Sequence, residues 1–165
     1  MPDITIRRAT PEDAAAISAI WDVVCAEGIH TAVSQPFTPE QERDYIAGLS
    51  EREGVFVAES EGRIVGFQTL DRWADYTDTF DHVCVLGTFV LPELRGKGIG
   101  RQLAAHTFDF ARAHGYEKSV VYVRGSNGGA QAFYRSLGFR PKGVLERQVK
   151  INGVYDDEVF MECFL

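Results

Sequence analysis

The stretch HVCVLGTFVLPELRGKGIGR, residues 82–101, decides how the rest of the chain is read. From His82 to Val90 apolar side chains fall on both faces of an extended segment: Val83, Val85 and Phe89 on one, Cys84, Leu86 and Val90 on the other. A strand apolar on both sides belongs in the middle of a sheet covered by helices. Leu91-Pro92 ends it, since proline has no N–H to give to a ladder. Gly96, Gly98 and Gly100 then open a helix whose inner side carries Ile99, Leu103 and Phe110. Glycines let the chain turn tightly, and the first turn of a helix offers unpaired N–H groups and a positive dipole end. Arg95, Lys97 and Arg101 add cations to that turn, in a chain of formal net charge −7. Together these features read as a seat for a phosphate group. The spacing is neither the GxxxxGK[ST] of a nucleotide-hydrolysing loop nor the G-x-G-x-x-G of a dinucleotide site.

Bulk properties narrow the class. The 165 residues suit one domain with one core, and 45% hydrophobic with 25% charged residues is an ordinary globular composition. No apolar run approaches the roughly 20 residues that cross a bilayer, so no membrane partner is expected. The opening MPDITIRRATPED has no apolar signal-peptide core, and a cytoplasmic location is expected. Cys25, Cys84 and Cys163 are odd in number and widely spaced, which suggests buried free thiols and no metal site. A pI near 5.1 argues against a nucleic-acid partner, which needs a basic face.

Along the chain, Ile4 to Arg8 alternates as a short strand. Thr10-Pro11-Glu12-Asp13 starts a helix that fades near Glu27-Gly28, and Thr38-Pro39-Glu40-Gln41 starts a second with a capping-box pattern. Residues 55–58 and 64–70 read as a β-hairpin, followed by a loop from Asp71 to Asp81 holding four aspartates. Lys118 to Val123 is a second doubly apolar strand. Joined to the first through a helix, it makes a parallel pair with a right-handed crossover. Asn127 caps a helix to Leu137, residues 142–151 form a strand, and Asn152-Gly153 turns the chain into a last strand over residues 155–165.

The helix NGGAQAFYRSLGF, residues 127–139, supplies a second pattern. Asn127, Ala130, Tyr134 and Leu137 share one helix face, an arrangement compatible with either core packing or a binding surface. In order and spacing, residues 82–139 resemble the acetyl-CoA core of the GNAT superfamily of N-acyltransferases. The resemblance rests on Arg95-Gly96-Lys97-Gly98-Ile99-Gly100 and on Asn127, Ala130, Phe133, Tyr134 and Gly138-Phe139. It implies a single α/β domain over residues 1–165, with a mixed sheet of about seven strands, a splayed parallel central pair and about four helices. It also implies acetyl-CoA as co-substrate. Phe89, Val90 and Leu91 would pair with the pantetheine arm, and N–H groups from Gly96 to Arg101 would hold the pyrophosphate. Asn127 would hydrogen-bond the pantetheine or cysteamine portion, Ala130 and Phe133 would border it, and Tyr134 would protonate the leaving thiolate. An N–H near Val90 would stabilise the oxyanion.

The N-terminal half is similar, more loosely, to the branch that acetylates phosphinothricin and related small amino acids, through Glu27-Gly28-Ile29-His30-Thr31 and Thr38-Pro39-Glu40-Gln41-Glu42. That branch typically carries a glutamate five residues before Val90, where this chain has Val85. Replacement bases are then Glu27, His30, Asp81 and His82, with Glu27 also suited to hold a substrate ammonium. Tyr155, Asp156 and Asp157 read as solvated turn charges, with a cationic amine, held across a homodimer, as the alternative. The expected function is acetyl transfer from acetyl-CoA to a small amine or amino acid by direct attack in a ternary complex. The alternatives are acetylation of a peptide N-terminus or lysine, and a non-catalytic acyl-CoA sensor.

Overall fold

The computed structural model describes residues 3–165. Its strands are β1 (Thr5–Arg8), β2 (Gly54–Ser60), β3 (Arg63–Arg72), β4 (Val83–Val90), β5 (Lys118–Arg124), β6 (Arg140–Ile151) and β7 (Val154–Phe164). Its helices are α1 (Ala14–Glu27), α2 (Pro39–Gly48), α3 (Ile99–Ala113) and α4 (Gly128–Ser136). The strands form one mixed sheet in the order β1-β2-β3-β4-β5-β7-β6, with β4 and β5 parallel at its centre and every other pair antiparallel.

The alternation of β3 and β4 sorts the layers. Phe67 faces Phe89 across the ladder, and Trp21 of α1 packs against both, with ring centroids 5.5 and 4.5 Å away. This odd-numbered face therefore carries α1 and α2. Phe56 lies opposite Gln68, on the even-numbered face, and its ring meets Phe110 of α3 at 5.1 Å. The central strands are covered on both sides, which is why β4 reads as apolar on both sides.

Several boundaries differ from the sequence expectation. Thr10-Pro11-Glu12-Asp13 begins as a 3₁₀ turn, Pro11–Asp13, before α1. Asp71 and Arg72 belong to β3, because their backbones stay in register with Val85 and Cys84 of β4. The aspartate-rich segment thus shortens to residues 73–82 and contains a further 3₁₀ turn, Asp78–Phe80. β6 starts at Arg140, two residues early, and tolerates a register shift between Leu145 and Val149, where Arg147 adopts φ 52°.

The capping box of α2 forms as its sequence predicts. Gln41 N–H donates to Thr38 Oγ1 at 3.2 Å, and Thr38 N–H donates to Gln41 Oε1 at 2.9 Å. Thr38→Ala removes the first of these bonds and is expected to destabilise the protein by about 1 kcal/mol, read as a lower urea midpoint with unchanged slope. An unchanged midpoint would mean that α2 is held by packing alone.

Candidate active site

The parallel pair is registered only over Val83–Lys118, Cys84–Ser119 and Val85–Val120. Beyond Val85 the strands part, β4 continuing to Val90 beside β3 and β5 to Arg124 beside β7. The edges of β4 and β5 that face one another there carry backbone N–H and C=O groups with no ladder partner. Such edges take up an extended, amide-bearing ligand in the manner of an added strand.

At the C-terminal end of β4 the chain makes a 3₁₀ turn, Pro92–Leu94, and enters α3. Gln102 is the first α3 residue whose N–H reaches a helical acceptor, Gly98 O at 3.1 Å. The N–H groups of the first helical turn, and of the glycine loop before it, are left for another acceptor. Gly96 and Gly98 adopt φ of 72° and 83°, which is what turns these groups into a concave cradle. Lys97 is exposed, and Arg101 donates to Ser136 Oγ at 3.1 Å. The ring of Phe133 lies 3.0 Å from where a Cβ on Gly100 would stand, so α4 sits tightly over the start of α3. Six N–H groups at a positive helix end fit a pyrophosphate, and the parted strands fit a pantetheine chain. These are the residues that would hold acetyl-CoA.

Tyr134 lies beside the cleft on the even-numbered face, 5% exposed. Its hydroxyl donates to Thr88 Oγ1 at 2.9 Å, and Gln68 Nε2 donates to the same oxygen at 2.7 Å. Burial pushes the Tyr134 phenol up to about 12, so it carries its proton at neutral pH. A buried hydroxyl that keeps its proton beside a cleft is suited to act as an acid.

A cavity of about 1300 Å³ runs from the cradle through the cleft to the odd-numbered face, between α1, α2 and the sheet. There Trp21 Nε1 donates to Glu42 Oε1 at 2.7 Å, and Tyr45 Oη donates to Asp71 Oδ1 at 2.5 Å. Burial raises the carboxyls of Glu42, Asp71 and Glu158, all of which line this side. An acid-lined chamber therefore opens on one side of the sheet and a protonated phenol lies on the other, with the parted strands between.

The sequence profile of the Acetyltransferase (GNAT) family matches residues 20–139. The chain belongs to the GNAT family of acetyltransferases. An L-methionine sulfoximine/L-methionine sulfone acetyltransferase of Salmonella typhimurium is 29% identical over 166 residues, 98% of this chain and 95% of that protein. An uncharacterised N-acetyltransferase of Methanocaldococcus jannaschii is 34% identical over 107 residues, 63% of this chain, which thereby matches only 47% of that relative's length. A GNAT superfamily phosphinothricin acetyltransferase from Sinorhizobium meliloti, solved in complex with acetyl-CoA, shares the fold with a TM-score of 0.87 at 23% identity, over 98% of this chain and 88% of that one.

Most of the GNAT positions named from sequence come together. Phe89, Val90, Gly96, Gly98, Ile99, Gly100, Arg101, Asn127, Ala130, Phe133 and Tyr134 line the one cavity. Asn127 doubles as the cap of α4, its Oδ1 accepting the Ala130 N–H at 3.1 Å, and its Nδ2 lies 3.4 Å from His30 Nδ1. Leu91 departs from the expectation: it is buried, does not line the cavity, and its N–H is bonded to Val65 O at 3.0 Å, so that group is not free to pair with a pantetheine arm. Arg95 lines the cavity, but its guanidinium turns away from the cradle. It grips both oxygens of Glu27 at 2.7 Å, and its Nε donates to Val90 O at 2.9 Å.

The candidate bases fare differently. Hydrogen bonds from Arg95 and His30 hold Glu27 below the usual carboxylate range, so its carboxylate is occupied and weakly basic, and it does not line the cavity. His82 is exposed at the opposite end of β4, about 26 Å of strand from Val90. Its carbonyl accepts from Glu117 and Lys118 N–H at 2.9 and 3.1 Å, and the structure does not bring it to the site. Asp81 lies 3.9 Å from both Arg52 and Arg72, also outside the cavity. His30 does line the cavity, but its Nε2 is engaged by Glu27 at 2.8 Å. Asp156 is not a solvated turn charge: it accepts from Arg124 at 2.8 Å and Ser126 at 2.6 Å. Cys84 is fully buried and its thiol is pushed up to about 11, which fits a packing role.

Sequence reasoning missed Gln68, Thr88, Tyr45, Glu42 and the placement of Asp71. The period-2 alternation of β3 would have put Asp71 on the same face as Phe67 and Thr69. The contact between Trp21 and Glu42 is tertiary and leaves no local signal. Among the described residues, no helix is long and apolar enough to cross a membrane, and no group of three or more His, Cys, Asp or Glu side chains is arranged to hold a metal.

Proposed function

We propose that the protein transfers the acetyl group of acetyl-CoA to the primary amine of a small amino acid or related compound, by direct attack with both substrates bound. The observation that carries this reading is the cleft itself. A cradle of unpaired N–H groups lies at one end, Tyr134 on one face, and an acid-lined chamber on the other. The thioester would lie between the parted strands, its carbonyl toward the Val90 N–H and its sulfur toward Tyr134. An amine entering from the α1–α2 side meets Trp21 and Phe89 as apolar walls and Glu42, Asp71 and Glu158 as acids, a surface that attracts an ammonium group. Holding the amine against the thioester supplies much of the acceleration. The name of the Salmonella relative supports an amino-acid acceptor.

A homodimer and a cytoplasmic setting belong to the same proposal. Val144, Val154 and Tyr155 on the β6–β7 hairpin are exposed apolar residues that a second copy would cover, and Cys25, Cys84 and Cys163 are all free thiols. Light scattering on the purified protein tests the first, with a monomer at all concentrations as the contrary result.

Thiol release from acetyl-CoA across a panel of amines tests the function. The panel contains amino acids, methionine sulfoximine, phosphinothricin, polyamines and short peptides. Turnover restricted to amino acids and their analogues is expected; turnover of peptides alone would replace the reading with N-terminal acetylation. Silence with acetyl-CoA still bound would favour a sensor.

A further inference from the structure

An amine reaches the enzyme at neutral pH as an ammonium and must lose a proton before it can attack. No side chain of β4 that faces the acceptor chamber can take it, because Val85, Gly87 and Phe89 are all apolar. The partner strand supplies what β4 lacks. Asp71 stands directly opposite Val85 in the β3–β4 ladder, so the two side chains project from the same face. Val85 is also the last β4 residue paired with β5, so Asp71 sits at the threshold where the cleft opens. Resting on the acetyl-transfer reading above, we propose that Asp71 is the catalytic base of this enzyme, taking the proton from the substrate ammonium, with Tyr45 as the residue that positions it.

The surroundings of Asp71 support the role. Its Oδ1 accepts from Tyr45 Oη at 2.5 Å, while Oδ2 has no hydrogen-bond partner among the described residues and is free to meet a ligand in the chamber. No cation pairs with it among the described residues, in contrast to Glu27 with Arg95 and Asp156 with Arg124. From α2 it faces Glu42 and Tyr45, and from the segment before β2 it feels Glu53. Tyr122 of β5 and Glu158 of β7 lie across the chamber, and the neighbouring Arg72 belongs to the opposite face. Burial, opposed in part by the Tyr45 bond and reinforced by the Glu53 charge, raises the Asp71 carboxyl above the usual aspartate value, toward the range useful for a base. Tyr45 is raised as well and stays a donor.

The proton balance closes. Asp71 carboxylate takes one proton from the ammonium; the nitrogen lone pair forms the C–N bond; the C–S bond breaks and its electron pair goes to sulfur. Tyr134 gives sulfur a proton, and the nitrogen sheds its second proton to restore the phenol. The products are the N-acetyl amine, the free thiol and one proton, passed from Asp71 to solvent. Asp71 and Tyr134 lie on opposite faces of the sheet, so the group that takes the proton from the amine and the group that gives one to sulfur reach the thioester from different sides of the cleft.

The test is the pH profile of kcat/KM for the amine in wild type, Asp71→Asn and Tyr45→Phe, with acetyl-CoA Kd measured for each. Wild type should lose activity as pH falls through the raised Asp71 value, because only the ionised carboxylate accepts a proton. Asp71→Asn should fall about tenfold at neutral pH, bind acetyl-CoA as before, and recover steadily toward the amine's own pKa, where solution supplies free amine. Tyr45→Phe, which removes a bond to the charged form, should move the acid limb to higher pH and leave the alkaline plateau in place. A wild-type profile in Asp71→Asn, or a loss equal at every pH, would overturn the role. An unmoved acid limb in Tyr45→Phe would do the same should Asp71→Asn fail to fold. Wild type releasing thiol with no amine would instead remove the acetyl-transfer reading and the base with it.

Discussion

Tyr134→Phe is expected to lower turnover about a hundredfold while leaving acetyl-CoA affinity nearly intact. The substitution removes one oxygen, whose partner is Thr88 Oγ1 at 2.9 Å, and leaves the ring in its packing against Phe133 and Phe139. Thr88 keeps the bond from Gln68, so no buried acceptor is orphaned and the fold should hold. Leaving thiolate would then depart without a proton from the protein. The expected signature is a fall in kcat with little change in KM for acetyl-CoA, checked by calorimetric binding and steady-state rates on the same preparations. Turnover equal to wild type would remove Tyr134 from the chemistry and leave it a packing residue.

Gly98→Val should weaken acetyl-CoA binding by at least about thirtyfold, roughly 2 kcal/mol. Gly98 stands at φ 83°, immediately before α3, with nothing within 4 Å of an added Cβ. The penalty is therefore conformational and not steric: a β-branched residue resists the left-handed region, and relieving that strain swings the following N–H groups out of the cradle. Because α3 is anchored by the fully buried Leu103 and Ala104, the distortion stays local and thermal stability should change far less than affinity. Dissociation constants for acetyl-CoA and for desulfo-CoA should rise together, since both carry the pyrophosphate. Unchanged affinity would place the phosphates elsewhere.

What the sequence made legible follows from the range of the interactions involved. The glycine loop, the two capped helices and the Asn152-Gly153 turn are local, so their residues carry their own conformational signals. β4 and β5 were legible as central strands because burial on both faces leaves continuous apolar runs. The splay between them was named through family likeness, and the structure gives it a physical form in the three registered pairs that end at Val85–Val120. The acceptor side was poorly legible. Glu27 looks available in the sequence because its partner Arg95 is 68 residues away, and His82 because the sequence does not show that it heads β4 at the end away from the cavity. Asp71 reads as a loop residue in the sequence because charged residues around it mask the continuing alternation of β3. Its partner Tyr45 is 26 residues distant and comes from a helix whose own pattern says only which side is apolar.

The measurement that bears most directly on direct transfer is the initial-rate pattern with acetyl-CoA and the accepted amine both varied, combined with the intact mass of the protein after incubation with acetyl-CoA alone. Direct attack in a ternary complex predicts intersecting double-reciprocal lines and an unmodified protein. Parallel lines together with a gain of one acetyl group on the chain would contradict it, and would move the chemistry to a covalent acyl-enzyme.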